Sequence, residues 1–198
     1  MDADDRPIGR VTRCSTRGFV GAVRLPEPEW PVFGTFCRAD AQQGHSQVIG
    51  LVYDLTIEDD ELARQLAASE ALSPEQLADS QVNRQVPVEY HALAVGYHNR
   101  DGFTQALPPQ PPLTLAPVHL LAAAQVRAFT ERLDFLPLVL AVPEIPVDDL
   151  LAAALKTAAA VRPESERRGY LVRAAAECAR LLGRDLTRLE SLVRAIRP

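Results

Sequence analysis

The chain has 198 residues, 47% of them hydrophobic and 24% charged, the balance of one medium or two small globular domains. Its most apolar window, 136–142, is short and contains Pro137, which argues against a bilayer-spanning helix. The net charge of −5 is uneven: residues 1–150 carry 11 arginines against 21 carboxylates, and residues 151–198 carry 10 basic against 5 acidic side chains. An acidic body with a basic tail suits head-to-tail association, or presentation of the tail to an acidic partner.

The start, Met1-Asp2-Ala3-Asp4-Asp5, is acidic where a secretory signal is basic and then apolar. The three cysteines, Cys14, Cys37 and Cys178, are far apart and odd in number, so no disulfide framework is expected. These features point to the cytoplasm. Lys156 is the only lysine, so any mechanism that needs one has a single candidate.

In chain order, residues 7–57 read as four strands. The first covers 8–14. In the second, Phe19, Gly21, Val23 and Leu25 share one face. Pro26, Pro28 and Pro31 surround Trp30 before a third strand at 32–39, and Gly44-His45-Ser46 turns into a fourth at 47–57. Gly21, Gly34 and Gly50 mark bulges or bends, which a small closed sheet needs at its corners.

Residues 58–86 break this pattern. Glu58-Asp59-Asp60-Glu61 opens a helical stretch, and Ser73-Pro74 begins another. Strand character returns at 86–97, and Asn99-Arg100-Asp101-Gly102 forms a hairpin turn into a sixth strand at 103–107. Five prolines between 108 and 117 predict a stiff extended linker.

Everything beyond the linker is predicted helical. One helix covers 118–135 and is interrupted by Pro137. The next begins at Pro146 and runs to about 161. A third starts at Pro163-Glu164, with Tyr170, Leu171, Ala174, Ala175, Cys178, Leu181 and Leu182 as its stripe. The last is capped by Asp185, with Leu186, Leu189, Val193 and Ile196 as its stripe. The expected class is α+β: a six-stranded antiparallel barrel with a helical insertion over residues 6–116, then a helical bundle over 117–198.

The barrel half resembles the HAS-barrel family, the six-stranded domain at the front of HerA-type DNA translocases; a related barrel fronts the rotary ATP synthase catalytic-ring subunits. The resemblance rests on Ile8-Gly9-Arg10-Val11, Pro31-Val32-Phe33-Gly34-Thr35-Phe36, Ile49-Gly50-Leu51-Val52-Tyr53-Asp54, Leu93-Ala94-Val95-Gly96 and Pro108-Pro109-Gln110-Pro111-Pro112. It implies a collar on a ring that offers an edge to a partner nuclease. In that family an ATPase core follows the proline cluster; here about eighty residues of predicted helix follow instead.

The chemistry is read mostly as absence. A phosphate-binding loop needs glycines before its lysine, and Lys156 lies in Ala154-Leu155-Lys156-Thr157 with none. No ATP hydrolysis, cofactor or metal site is expected. His91 and His98, seven apart, fall on opposite strand faces; His45 falls in a turn and His119 at a helix start. Cys14 and Cys37 read as small core residues. Glu58 to Glu61 read as helix-start acids rather than ligands. No nucleophile motif is present.

The expected function is therefore a non-catalytic assembly or adaptor module in DNA processing. It would oligomerise with itself or dock on a separately encoded HerA-like ATPase or nuclease. The alternative is a nucleic-acid-binding accessory. The candidate contacts for partner or nucleic acid are Arg167, Arg168, Arg173, Arg180, Arg184 and Arg188, within a wider basic face that also includes Arg162, Arg194 and Arg197.

Overall fold

A computed structural model describes residues 7–24, 31–57 and 87–196. The helical insertion read at 59–85, the acidic run at 58–61 and Trp30 lie outside these residues. Seven strands are described: β1 (Gly9–Ser15), β2 (Gly18–Arg24), β3 (Phe36–Ala41), β4 (Ser46–Ile57), β5 (Pro87–Asn99), β6 (Gly102–Thr104) and β7 (Pro117–Leu120). Five helices follow: α1 (Ala123–Phe129), α2 (Leu136–Leu140), α3 (Val147–Ala160), α4 (Glu164–Leu182) and α5 (Leu186–Ile196). The class is α+β, as expected.

Six strands close into an antiparallel barrel in the order β1–β2–β5–β4–β3–β7, with β7 returning to β1. Closure removes the open edges that an isolated small sheet would expose. The sixth barrel strand is not the predicted 103–107. Only Gly102–Thr104 is strand there, and it forms a short hairpin on β5. The barrel closes through Pro117–Leu120, which pairs Gly9 with Val118 on one side and Ala39 with Val118 on the other.

The proline segment, expected as a stiff extended linker, packs on the barrel. Pro108 and Pro112 are buried, Ala41 bridges to Pro112, and Leu113 N donates to Asp40 O at 2.9 Å. The segment runs along the barrel end and delivers β7 between β1 and β3. Its first four prolines lie outside the strands, and Pro117 is the first residue of β7, a strand position where a missing N–H is tolerated.

Inside, the barrel is filled by Val11, Phe19, Cys37, Val48, Val52, Tyr90 and small neighbours such as Ala39, Ala92 and Ala94. Gly21 gives Tyr90 its room: a Cβ there would lie 2.2 Å from the tyrosine ring. Gly21 neighbours a bulge in β1, and Gly50 one in β5, so two of the three predicted bend points sit at ladder irregularities. Gly34 instead occupies a turn with φ +81, and a Cβ there would meet Ala153 at 2.4 Å.

The helices pack on the outer face of β3–β4–β5. Alternation sends Phe36, Ile49, Leu51, Leu93 and Val95 outward, where they share one core with Phe129, Phe135, Leu150, Leu151 and Leu155. Phe36 meets Phe129 and Phe135 edge-on at 5.7 and 5.8 Å. α3 is the central helix, with eight buried residues, because the barrel lies on one side and α4 and α5 on the other. Burying each of its leucines contributes roughly 1.5–3 kcal/mol.

The single helix read over 118–135 is β7 followed by the short α1. α1 stops at Phe129 because the Gln105 side chain donates to the Phe129 and Arg132 carbonyls and accepts from Phe135 N at 2.9 Å. Pro137 does not interrupt a helix; it sits in the first turn of α2, where it lacks no bond. In α5 the buried residues are Leu192 and Ile196, whereas Leu186 is 73% exposed. Asp185 caps this helix, accepting from Arg188 N at 3.0 Å.

Candidate functional site

The arginines predicted to face a partner have mixed environments. Arg173 reaches Glu131 at 3.3 Å, Arg180 reaches Glu177 at 3.0 Å, and Arg188 bonds both oxygens of Asp148 at 2.7 and 2.8 Å. Arg167 donates to the Arg162 and Ala160 carbonyls, capping the end of α3. Arg168 and Arg184 are exposed, with no ion pair among the described residues. Glu131 and Asp148 lie outside the tail and offset part of its charge excess, whereas Glu177 is one of the tail's own carboxylates.

Arg162, counted in the wider basic face, is only 3% exposed. Its guanidinium stacks on Tyr170 and donates to Thr130 Oγ1 at 3.0 Å and to the Ala158 carbonyl. Burial pushes it below the ordinary arginine value, partly opposed by Tyr170 and Glu131. It ties α1, α3 and α4 together and is not surface charge.

The histidines do not gather. His91 stands edge-on to Tyr53 with ring centroids 5.8 Å apart, and His98 packs on Phe103 at 4.6 Å. His119 lies on β7 rather than at a helix start. Cys37 and Cys178 are buried free thiols; Cys14 is a half-buried one that donates to the Pro112 carbonyl at 3.2 Å. Among the described residues no group of three His, Cys, Asp or Glu side chains could hold a metal ion, and no helix is long and apolar enough to cross a membrane.

Two surface features emerge that the sequence pattern did not flag. The first is a groove of about 590 Å³ between the β1–β2 hairpin and α2. Leu93 and Leu138 help form its floor, and Arg13, Arg17, Tyr53, His91 and Glu144 supply its polar groups. A second hollow of about 470 Å³ shares Tyr53 and Glu144 with it and continues past Asp54 to Phe33 and Pro146. Tyr53 is the extra residue of a β4 bulge, between Val52 paired with Ala92 and Asp54 paired with His91. Burial raises its hydroxyl pKa, with further contributions from Asp54 and Glu144. A one-residue irregularity in a strand carries no sequence signature, which hides this site from pattern reading.

The second feature is the turn at the barrel end. Leu113 and Leu115 are 44% and 65% exposed, and Leu115 has φ +64. The turn is held by Leu115 N to Val11 O at 2.8 Å, Arg10 Nη1 to Leu115 O at 3.0 Å and Ala116 N to Leu113 O at 3.1 Å. Left-handed backbone costs a leucine about 1–2 kcal/mol. The available signal was two leucines within a proline-rich run, where a linker needs none.

Among the described residues, the groove's Cys14 and Ser15 donate to the Pro112 and Gly18 carbonyls, and both features present chemistry suited to binding. Compared with models of known protein families and with curated proteins, the chain finds no match.

Proposed function

We propose that the chain is a non-catalytic assembly or adaptor module resembling the HAS barrel of HerA-type translocases. It forms an oligomer or docks on a separately encoded HerA-like ATPase or nuclease in DNA processing. One observation carries this reading: Leu113 and Leu115 stand in water on a rigid turn at the barrel end, with Leu115 in left-handed backbone. The turn's hydrogen bonds use the Leu115 backbone, whereas its exposed side chain gains little burial, and strain of this kind concentrates where a surface is used. The opposite charges of the two halves support contacts between copies.

Light scattering at micromolar concentration tests self-assembly, and co-purification with a HerA-like ATPase or nuclease tests docking. An oligomer or a salt-resistant complex is expected, weakened by Leu115→Asp. A monomer that forms neither would overturn the reading. Steeply salt-dependent retention on DNA, lost on joint Arg168→Glu and Arg184→Glu substitution, would replace it with the nucleic-acid alternative.

A further inference from the structure

The groove beside the barrel has features that the assembly reading does not use. It is elongated: the 590 Å³ and 470 Å³ hollows meet at Tyr53 and Glu144. A compact small molecule fills one such hollow, whereas an extended chain fills both in sequence. Its charge is ordered along its length. Arg17 stands at the turn of the β1–β2 hairpin, beside Gly18 and Leu93, while Glu144 and Asp54 border the stretch where the hollows meet. Arg13 already reaches Glu89 at 3.4 Å, but Arg17, Asp54 and Glu144 have no ion pair among the described residues. Leu93 and Leu138 line the hollow shared by Arg17 and Glu144, with Tyr53 and His91 as an aromatic wall.

We propose that this groove docks an extended peptide segment of a partner protein. The segment presents an acidic side chain to Arg17, apolar side chains to the Leu93–Leu138 floor and a basic side chain to Glu144. This rests on the assembly reading and names the surface through which a partner is held. The ordered charges fix the direction of the bound segment, since reversing it sets like charges together at Arg17 and at Glu144. The apolar floor supplies the affinity, and the Tyr53 and His91 rings give stacking surface without ordering a long side chain.

The test is a random peptide library displayed on phage and selected against the full chain. Enriched sequences should run acidic–apolar–basic. A synthetic representative should bind in fluorescence anisotropy, and Arg17→Glu or Glu144→Lys should each weaken it by at least about tenfold. Arg168→Glu, on a distant helix, should leave binding unchanged. The joint Arg17→Glu and Glu144→Lys variant should select the reversed order. Ala141→Trp, at an exposed groove position, should block binding while circular dichroism confirms folding. Peptides that keep their affinity for both single variants would overturn the proposal. So would a library that yields no binder beyond the level of the Ala141→Trp chain. Measuring assembly on the same variants separates the two readings. Complexes that survive both groove substitutions with no peptide binder remove the groove alone. Peptide binding by a chain that forms no assembly keeps the groove and removes the assembly reading.

Discussion

The guanidinium carbon of Arg162 lies 3.7 Å from the centre of the Tyr170 ring, and this stacked pair fastens the helical half. The arginine is enclosed between α1, α3 and α4 and satisfies groups on the first two: Thr130 Oγ1, the Ala158 carbonyl and, at 3.4 Å, the Arg127 carbonyl. Arg162→Met removes the donors but keeps much of the volume. It leaves buried acceptors without partners and should cost about 2–4 kcal/mol. Arg162→Lys keeps a charge but loses the planar stack and should cost about half as much. Urea titrations decide this; a methionine variant as stable as the parent would show that stacking and hydrogen bonds add nothing net.

This pair marks where reading the sequence fails. Arg162 has the same one-letter identity as Arg168, and only packing tells a buried staple from a surface cation. The same holds for Arg173, Arg180 and Arg188, whose carboxylate partners lie 42, 3 and 40 residues away. Alternation and glycine punctuation did reveal the barrel and most of its strands, because a pleated strand with one face inward imposes period two on its residues. They missed β7, whose four residues are too few for a period and sit between a proline run and an alanine-rich stretch. In the stripe of α5, Ile196 is buried and Leu189 packs against the core, but Leu186 is exposed and Leu192, outside the expected stripe, is buried, because several neighbouring residues suit a helical face and tertiary packing picks among them.

Inside the barrel, Tyr90 is fully buried and its hydroxyl has no hydrogen-bond partner among the described residues. Burial raises its pKa, so it stays protonated. Tyr90→Phe removes a desolvated polar group and leaves the ring, so stability should hold or rise by about 1 kcal/mol. Gly21→Ala drives a methyl into that ring and should cost about 1–3 kcal/mol. Combining Gly21→Ala with Tyr90→Leu should recover part of the loss, because the two sites share one space. Strict additivity in this cycle would contradict the close approach.

Gly34 sits where the barrel meets α3. Its φ of +81 disfavours any side chain, and a Cβ would press on Ala153 at 2.4 Å. Gly34→Ala should lower stability by about 2 kcal/mol or more from strain and displacement together. Joint Ala153→Gly substitution should return only part of the steric share, because the Ala153 and Ala154 backbone atoms at 3.0 and 3.1 Å remain and the backbone strain is untouched. Thermal melts of both variants, with Ala153→Gly alone as the control for glycine in a helix interior, check this.

Alkali should destabilise the chain before its surface groups explain it. Burial raises the Cys37 thiol pKa from 9.0 to about 12 and the Cys178 thiol pKa from 9.0 to about 11. At a pH between the unfolded and folded values, the native state holds a proton that the unfolded state has released. Stability is therefore intact below pH 9, and each thiol removes about 1.4 kcal/mol per pH unit above it until its folded value is reached. Tyr170, raised from 10.0 to about 12, adds to the slope above pH 10. Cys37→Ala and Cys178→Ala should each flatten the decline between pH 9 and 11. Parallel slopes in parent and variants would assign the alkaline loss to other groups.

The final prediction separates stability from assembly at the barrel end. Leu115 has φ +64, a conformation that glycine adopts freely and leucine does not. Leu115→Gly relieves that strain but adds freedom to the unfolded chain, and the two effects nearly cancel. The side chain is 65% exposed, so its removal creates no cavity. Stability should stay within about 1 kcal/mol of the parent. Association should behave differently, because the exposed leucine is the surface a partner covers: the glycine variant should lose oligomer or complex in light scattering at concentrations where the parent keeps it. A Leu115→Gly chain that assembles normally would take the function away from this turn. One that unfolds readily would mean that the leucine packs the barrel end for its own stability.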